Sequence, residues 1–198
     1  MQKQFRNRTV GCALAIICLA GTAMAQPPAP AASGSTAVAN PTYITIPMEI
    51  MVNRPAAEVW KRVGKYCDIG EWFRIACTIT SGKDGELGAV RTVGNEILVG
   101  KTELSYTYTQ PVREGRPYNL YHGTLEARPV TATTSKLVYT LVYDNSMLAD
   151  DAARDRDKAQ KTAQFTGALE NMKILAEGGT LPPAPARGGG PKGGPGKQ

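Results

Sequence analysis

In this chain of 198 residues, tyrosine is the residue type whose side chains could orient a bound molecule. Each tyrosine combines a large apolar ring with a hydroxyl group that needs a hydrogen-bond partner when it is buried. Five of the eight tyrosines lie in strand-like segments of the second half of the chain: Tyr106, Tyr108, Tyr121, Tyr139 and Tyr143. Either the five rings fill a core, or they line a cavity and direct their hydroxyl groups at a ligand. So many tyrosines in neighbouring strands favour the cavity.

No arrangement of residues predicts a catalytic centre. The sequence lacks a Ser-His-Asp order, a nucleophile elbow and a carboxylate pair at an interpretable spacing. His122 is the only histidine, and it should point away from the face that its neighbour Tyr121 occupies. Without further histidines or a C-x-x-C motif, no tetrahedral metal site is expected, and no cofactor is predicted.

One segment superficially resembles a phosphate-binding loop. Residues 94–102 run G-N-E-I-L-V-G-K-T, which is one residue too long for that motif. The segment also leads into a tyrosine-rich strand, whereas a phosphate loop must open a helix. Nucleotide binding is therefore not expected.

The elements that must position the tyrosines follow from hydrophobic periodicity. Alternating or short apolar segments predict strands over residues 43–52, 76–81, 88–93, 96–99, 103–109, 120–128 and 137–144. Two short helices are predicted between Pro55 and Phe73, and a long helix from about Asp150 to Glu177. Apolar residues occur only in the second half of that helix, so only this half can pack firmly on a sheet.

This order of elements, with its local motifs, resembles the helix-grip (SRPBCC) superfamily. The superfamily includes the START lipid-transfer domains, the birch-pollen-allergen-like proteins and the polyketide cyclase/dehydrase group. The similarity rests on segments 53–60 (NRPAAEVW), 68–73 (DIGEWF), 85–92 (GELGAVRT), 106–108, 121–128 and 137–144. It implies an α+β domain over residues 43–177, with a curved antiparallel sheet of about seven strands around the long C-terminal helix.

The resemblance also implies a function, because members of the superfamily enclose a hydrophobic cavity. It places the five tyrosines on the concave side of the sheet and adds Trp72 and Arg91 as ligand-binding candidates. Arg91 would anchor an acidic group or form an ordinary salt bridge, and Glu71 would lie at the cavity mouth or on a helix surface. The expected function is binding or transfer of a hydrophobic or amphipathic small molecule, such as a lipid. The alternatives are a cyclase or dehydratase, in which Arg91 and tyrosines polarise a carbonyl, and a protein-interaction module.

The termini predict export. Residues 1–25 combine a basic start, an apolar stretch and the A-x-A site Ala23-Met24-Ala25, as in a signal peptide, with an uncleaved anchor as the alternative. Residues 26–42 form a Pro/Ala/Ser-rich linker, and residues 178–198 a Gly/Pro-rich tail that should be disordered. The mature protein is expected in the periplasm or outside the cell, without stable membrane insertion.

Export leaves two cysteines, Cys67 and Cys77, which are predicted to form a disulfide, with two buried thiols as the alternative. The formal net charge of +6 comes from the two termini, which hold no acidic residue. The domain between them is therefore close to neutral, and nucleic-acid binding is not expected.

Overall fold

A computed structural model describes residues 40–112 and 115–183 of the chain. The predicted signal peptide (1–25), most of the predicted linker (26–42) and the tail from residue 184 onward lie outside the described residues. The predicted boundaries of these segments therefore stay predictions.

Seven strands form one antiparallel sheet in the order β1-β7-β6-β5-β4-β3-β2. The strands are β1 (Tyr43–Val52), β2 (Ile79–Ser81), β3 (Val90–Arg91), β4 (Glu96–Thr102), β5 (Ser105–Gln110), β6 (Asn119–Pro129) and β7 (Ser135–Asp144). The helices are α1 (Ala56–Val63), α2 (Ile69–Trp72) and α3 (Asp151–Ala176). The predicted helix-grip architecture, a curved sheet around a long C-terminal helix, is confirmed.

The first and last elements follow their sequence signals closely. Strand β1 has its predicted bounds and lies at an edge of the sheet, where the missing N–H of Pro47 costs no ladder hydrogen bond. Helix α3 begins at the N-cap Asp150, whose carboxylate accepts from the backbone N–H of Ala153 at 2.7 Å. It ends before Gly178, which has the left-handed φ of 88° expected there.

Helix α3 buries apolar side chains against the sheet only in its second half. Its buried residues all lie there: Phe165, Ala168, Leu169, Met172 and Leu175. Two hydrogen bonds hold this half, from Asn171 Nδ2 to the Trp72 carbonyl (2.9 Å) and from Lys173 Nζ to the Met51 carbonyl (2.7 Å). The first half carries polar side chains above the same sheet, and space remains beneath it.

A glycine on β6 allows one of the tyrosines to lie flat on the sheet. Gly123 pairs with Tyr108 across strands β6 and β5. A Cβ atom at residue 123 would lie only 2.3 Å from the Tyr108 ring, which no real structure tolerates. The position of Tyr108 therefore depends on the absence of a side chain at Gly123.

Cys67 and Cys77 form a disulfide, with their Cα atoms 5.6 Å apart. Cys67 lies between α1 and α2, and Cys77 lies just before β2. The predicted pair is thus joined in the structure, and it ties the short helices to the start of the second strand.

A substitution in α3 should show whether close packing requires the glycine in the middle of this helix. Gly167 could be required by close packing, but a Cβ atom there would have no described atom within 4 Å. Gly167→Ala should therefore stabilise the protein by up to about 1 kcal/mol, because alanine favours the helix. Urea unfolding measures the change. Gly123→Ala is the contrasting control and should destabilise by about 1–3 kcal/mol through overpacking. A destabilised Gly167→Ala variant would show that the backbone at this position needs glycine.

Candidate ligand-binding site

A cavity of about 380 Å³ lies between α2, the concave side of the sheet and the first half of α3. We call it the grip cavity. Its apolar wall consists of Ile69, Phe73, Ile75, Val93, Pro117 and Phe165. Its polar wall includes side chains from β4, β5 and the first half of α3. The cavity exists because that half of α3 supplies no large apolar side chain to fill it.

Arg91 and Glu96 form a buried ion pair behind the grip cavity. Arg91 Nη2 and Nε lie 2.5 Å and 2.6 Å from Glu96 Oε2, and both residues are almost fully buried. Arg91 also donates to the Tyr66 carbonyl, and its guanidinium lies over the Tyr66 ring at 4.2 Å and the Tyr108 ring at 4.9 Å. Of its two predicted roles, Arg91 adopts the salt bridge.

A chain of hydrogen bonds leads from this ion pair into the grip cavity. Glu96 Oε1 accepts from Gln110 Nε2 at 2.8 Å, and Gln110 Oε1 accepts from the Tyr118 hydroxyl at 2.7 Å. Glu96, Gln110 and Tyr118 all line the cavity. The charge of Glu96 therefore fixes the orientation of the Gln110 amide, which in turn fixes the direction of the Tyr118 hydroxyl.

A second polar group comes from α3. The carboxylate of Asp157 accepts from the Tyr143 hydroxyl at 2.6 Å and pairs with Lys161 one helical turn later. Lys161 Nζ also lies 4.8 Å from the centre of the Tyr143 ring. Burial, reinforced by Asp157, raises the pKa of Tyr143, so its hydroxyl keeps its proton and remains a donor.

The structure distributes the seven predicted ligand-binding residues over different places. Tyr108 and Tyr121 line the grip cavity. Tyr139 and Tyr143 are fully buried and outside its lining, although the Tyr139 hydroxyl donates to that of Tyr108 at 3.0 Å. Trp72 is also fully buried, and its ring packs on Phe73 and Tyr139. Arg91 is the buried partner of Glu96, as described above.

Tyr106 belongs to a second cavity, of about 300 Å³, which we call the hairpin cavity. Its wall includes Trp60, Tyr66, Leu98, Lys101 and Tyr106, from α1, the segment after it, and strands β4 and β5. Arg91 contacts rings that line both cavities, Tyr66 and Tyr106 on one side and Tyr108 on the other. The ion pair and its aromatic neighbours therefore stand between the two cavities.

Glu71 and His122 lie outside both cavity linings. Glu71 accepts two hydrogen bonds of 2.7 Å from Arg62, on the exposed surface of the two short helices. This ion pair lowers the pKa of Glu71. His122 is half-buried on the convex side of β6, and burial lowers its pKa. Its side of the strand agrees with the sequence argument.

The sequence did not single out Gln110, Tyr118, Asp157 or Lys161, nor Glu96 as the partner of Arg91. The i,i+4 spacing of Asp157 and Lys161 was the available signal for that pair, because such residues are neighbours on a helix. Glu96 and Gln110 meet through the register of β4 and β5, and Tyr118 reaches them from the segment before β6; no comparable sequence signal exists for either.

Two tyrosine substitutions should differ in their effect on stability. The Tyr106 hydroxyl is buried without a hydrogen bond of normal geometry to the described residues, whereas that of Tyr139 is bonded to Tyr108. Tyr106→Phe should leave the free energy of unfolding unchanged or raise it, while Tyr139→Phe should lower it by about 1 kcal/mol or more. Urea unfolding of both variants tests this. Equal losses in the two would contradict the hydrogen-bond assignment.

Within residues 40–112 and 115–183, no helix has the length and apolar character needed to cross a bilayer. The same residues contain no group of three acidic, histidine or cysteine side chains able to hold a metal ion.

Solved structures with the same fold come from bacteria and plants. A protein from Thermobifida fusca, solved by solution NMR, is 25% identical with a TM-score of 0.56, covering 67% of this chain and 92% of that one. A truncated norcoclaurine synthase from Thalictrum flavum is 11% identical with a TM-score of 0.55, covering 73% and 99%. The Zhui aromatase/cyclase from Streptomyces sp. R1128 is 16% identical with a TM-score of 0.50, covering 70% and 100%.

No protein-family model matches the sequence, and no curated protein matches it. The similarity to known proteins is thus carried by the fold. The sheet order, the long C-terminal helix and the structural neighbours show that the chain has the helix-grip fold, as the sequence motifs predicted.

Proposed function

We propose that this protein binds a small hydrophobic or amphipathic molecule in the grip cavity. The observation that carries the proposal is the cavity itself, about 380 Å³ in volume, with an apolar wall on one side and oriented polar groups on the other. This volume and mixed lining are typical of small-molecule sites. Proteins with the helix-grip fold typically bind hydrophobic small molecules, which supports the proposal.

The two walls have separate tasks in this proposal. Burial of the ligand against Phe73 and Phe165 supplies affinity, at roughly 25 cal/mol per Å² of apolar surface. The polar wall selects orientation. Among the predicted ligand-binding residues, Tyr108 and Tyr121 make direct contact, while Arg91, Tyr139 and Tyr143 hold the wall in place behind them. Trp72 supports Phe73, and Tyr106 faces the hairpin cavity.

The proposed site of action is the periplasm or the cell exterior. Its support comes from the signal-like sequence of residues 1–25 and from the disulfide between Cys67 and Cys77, since disulfides persist in oxidising compartments. Binding followed by release would make the protein a carrier for a lipid-like molecule there.

An enzymatic function of the cyclase or dehydratase type is the second candidate. Its support is that two structural neighbours are named as a synthase and an aromatase/cyclase. In the present chain, Arg91 lies behind the cavity wall and is paired with Glu96, so a carbonyl in the grip cavity would meet tyrosine hydroxyls and Lys161 instead. Turnover of an aromatic polyketone by the purified protein would favour this candidate.

A pair of identical substitutions tests the binding proposal. Val93 lines the grip cavity, whereas Val99 lies outside both cavities and is 48% exposed. Val93→Phe should fill part of the cavity and weaken binding of Nile red about tenfold or more, and Val99→Phe should bind the dye as the parent does. Fluorescence titration measures both, with thermal unfolding to verify that each variant is folded. The proposal fails if the parent shows no saturable binding, or if the two variants bind equally.

A further inference from the structure

The carboxylates in the wall of the grip cavity already have their partners. Glu96 accepts from Arg91 and Gln110 on its two oxygens, at 2.6 Å and 2.8 Å. Asp157 accepts from Tyr143 on one oxygen and from Lys161 on the other. Each acid is also neutralised by its own cation, Arg91 or Lys161. Neither carboxylate is therefore available to bind a cationic ligand without the loss of an existing ion pair.

The Gln110 amide is used in the same way. Its nitrogen donates to Glu96 and its oxygen accepts from the Tyr118 hydroxyl at 2.7 Å. Because both ends are engaged, this side chain offers a ligand neither a free carbonyl nor a freely oriented donor. The two carboxylates and the Gln110 amide are thus engaged within the protein, whereas Gln160 and Gln164 offer the cavity only neutral amides.

Donors remain available at the same cavity. The Tyr121 hydroxyl has that of Tyr108 as a neighbouring donor and itself donates to no described residue, and its ring is buried against those of Tyr118 and Tyr143 at 4.8 Å and 5.6 Å. Burial raises the pKa of Tyr121, so the hydroxyl keeps its proton at physiological pH. Arg116 lines the cavity from its exposed side and makes no ion pair with any described residue.

Charge and hydrogen-bonding capacity point to the same kind of ligand. Because Arg91 and Lys161 are each paired with an acid, Arg116 gives the described part of the cavity wall a net positive charge. An arginine binds a carboxylate through two parallel hydrogen bonds, and a neutral hydroxyl strengthens such a contact without competing for a proton. The volume of about 380 Å³ lies near the lower end of ligand pockets, which favours a single short chain or a small ring system.

We propose that the ligand of the grip cavity is a small amphipathic carboxylate, whose acidic group binds Arg116 and the Tyr121 hydroxyl and whose apolar part packs on Phe73 and Phe165. This assignment rests on the proposed binding function and narrows it to one chemical class. The sequence predicted Arg91 as a candidate to bind an acidic group, but Arg91 is buried in an ion pair. The proposal assigns this role to Arg116, at the entrance of the grip cavity.

The experiment compares two probes of equal chain length, octanoate and octanol, as competitors of Nile red at neutral pH. Arg116→Gln should weaken octanoate binding about tenfold and change octanol binding less than about twofold, because only the acid loses a charge-assisted hydrogen bond. Tyr121→Phe should also weaken octanoate binding. Arg128→Gln removes an equal charge from an exposed position outside both cavities and serves as the matched control.

Each outcome decides one of the two proposals. If Arg116→Gln weakens both probes equally or neither, while the parent still binds Nile red, the carboxylate assignment is wrong and the binding function stands. If Arg128→Gln lost as much octanoate affinity as Arg116→Gln, the loss would come from the lower net charge of the protein, and the assignment would be wrong as well. If the parent does not bind Nile red, the binding function itself is wrong.

Discussion

Replacement of Glu96 by glutamine should destabilise the protein by about 3–5 kcal/mol, because it leaves the buried Arg91 without its counter-charge. Glutamine keeps the shape of glutamate, so the loss comes from the unpaired charge and not from a cavity. The free energy of unfolding in urea measures the effect. A loss below about 1 kcal/mol would show that Arg91 is stabilised mainly by the surrounding tyrosine rings and the Tyr66 carbonyl.

A double variant supplies the control for this experiment. Arg91→Met combined with Glu96→Met removes both charges and should recover most of the stability that Glu96→Gln loses, since well-packed apolar residues often replace a buried ion pair at little cost. The double variant should nevertheless bind Nile red differently from the parent, because Gln110 loses the acceptor that orients it. Failure of the double variant to recover stability would mean that the pair also directs local packing.

Removal of the disulfide should cost about 2–4 kcal/mol. The bridge joins residues ten positions apart and restrains the segment that contains Tyr66 and Ile69, one a partner of Arg91 and the other part of the grip cavity wall. The Cys67→Ser, Cys77→Ser double variant should therefore unfold at lower urea concentration than the oxidised parent. Intact mass with and without reductant establishes the redox state of the exported protein.

The parent in reductant is the matched control for that variant, and the two should unfold together. Identical unfolding of the oxidised parent and the double serine variant would show that the segment is already restrained by packing. Two free thiols in the exported protein would contradict the disulfide itself.

Periodicity predicted the fold where segments were long. Strand β1 alternates over ten residues and has its predicted bounds, and α3 combines an acidic N-cap with a glycine just after its C-terminus. The bounds of short strands were harder to predict. Residues 76–81 were predicted as a strand, but only Ile79–Ser81 form strand β2 and pair with β3. Short apolar runs carry too few residues to define an end.

The candidate site was less predictable because it depends on register. The predicted strands 88–93 and 96–99 leave only Gly94 and Asn95 for the turn between them, which would place Arg91 opposite Leu98. In the structure Arg91 pairs with Glu96, so four residues form the turn and Gly94 and Asn95 both adopt positive φ. A shift of two residues keeps the same face inward while changing every partner. The tyrosines could thus be assigned to the interior, while the ion pair that organises them could not be foreseen.

The position of Arg91 between the two cavities limits the length of the ligand that the interior can bind. Under the proposed binding function, a ligand short enough for the grip cavity would contact only the side chains that line it. A longer ligand would need to continue into the hairpin cavity and would have to displace the buried ion pair of Arg91 and Glu96. Breaking this pair costs about as much free energy as the burial of several methylene groups provides. The interior would thereby select ligands by chain length. Affinity would rise as the ligand lengthens and would level off once its end reaches Arg91.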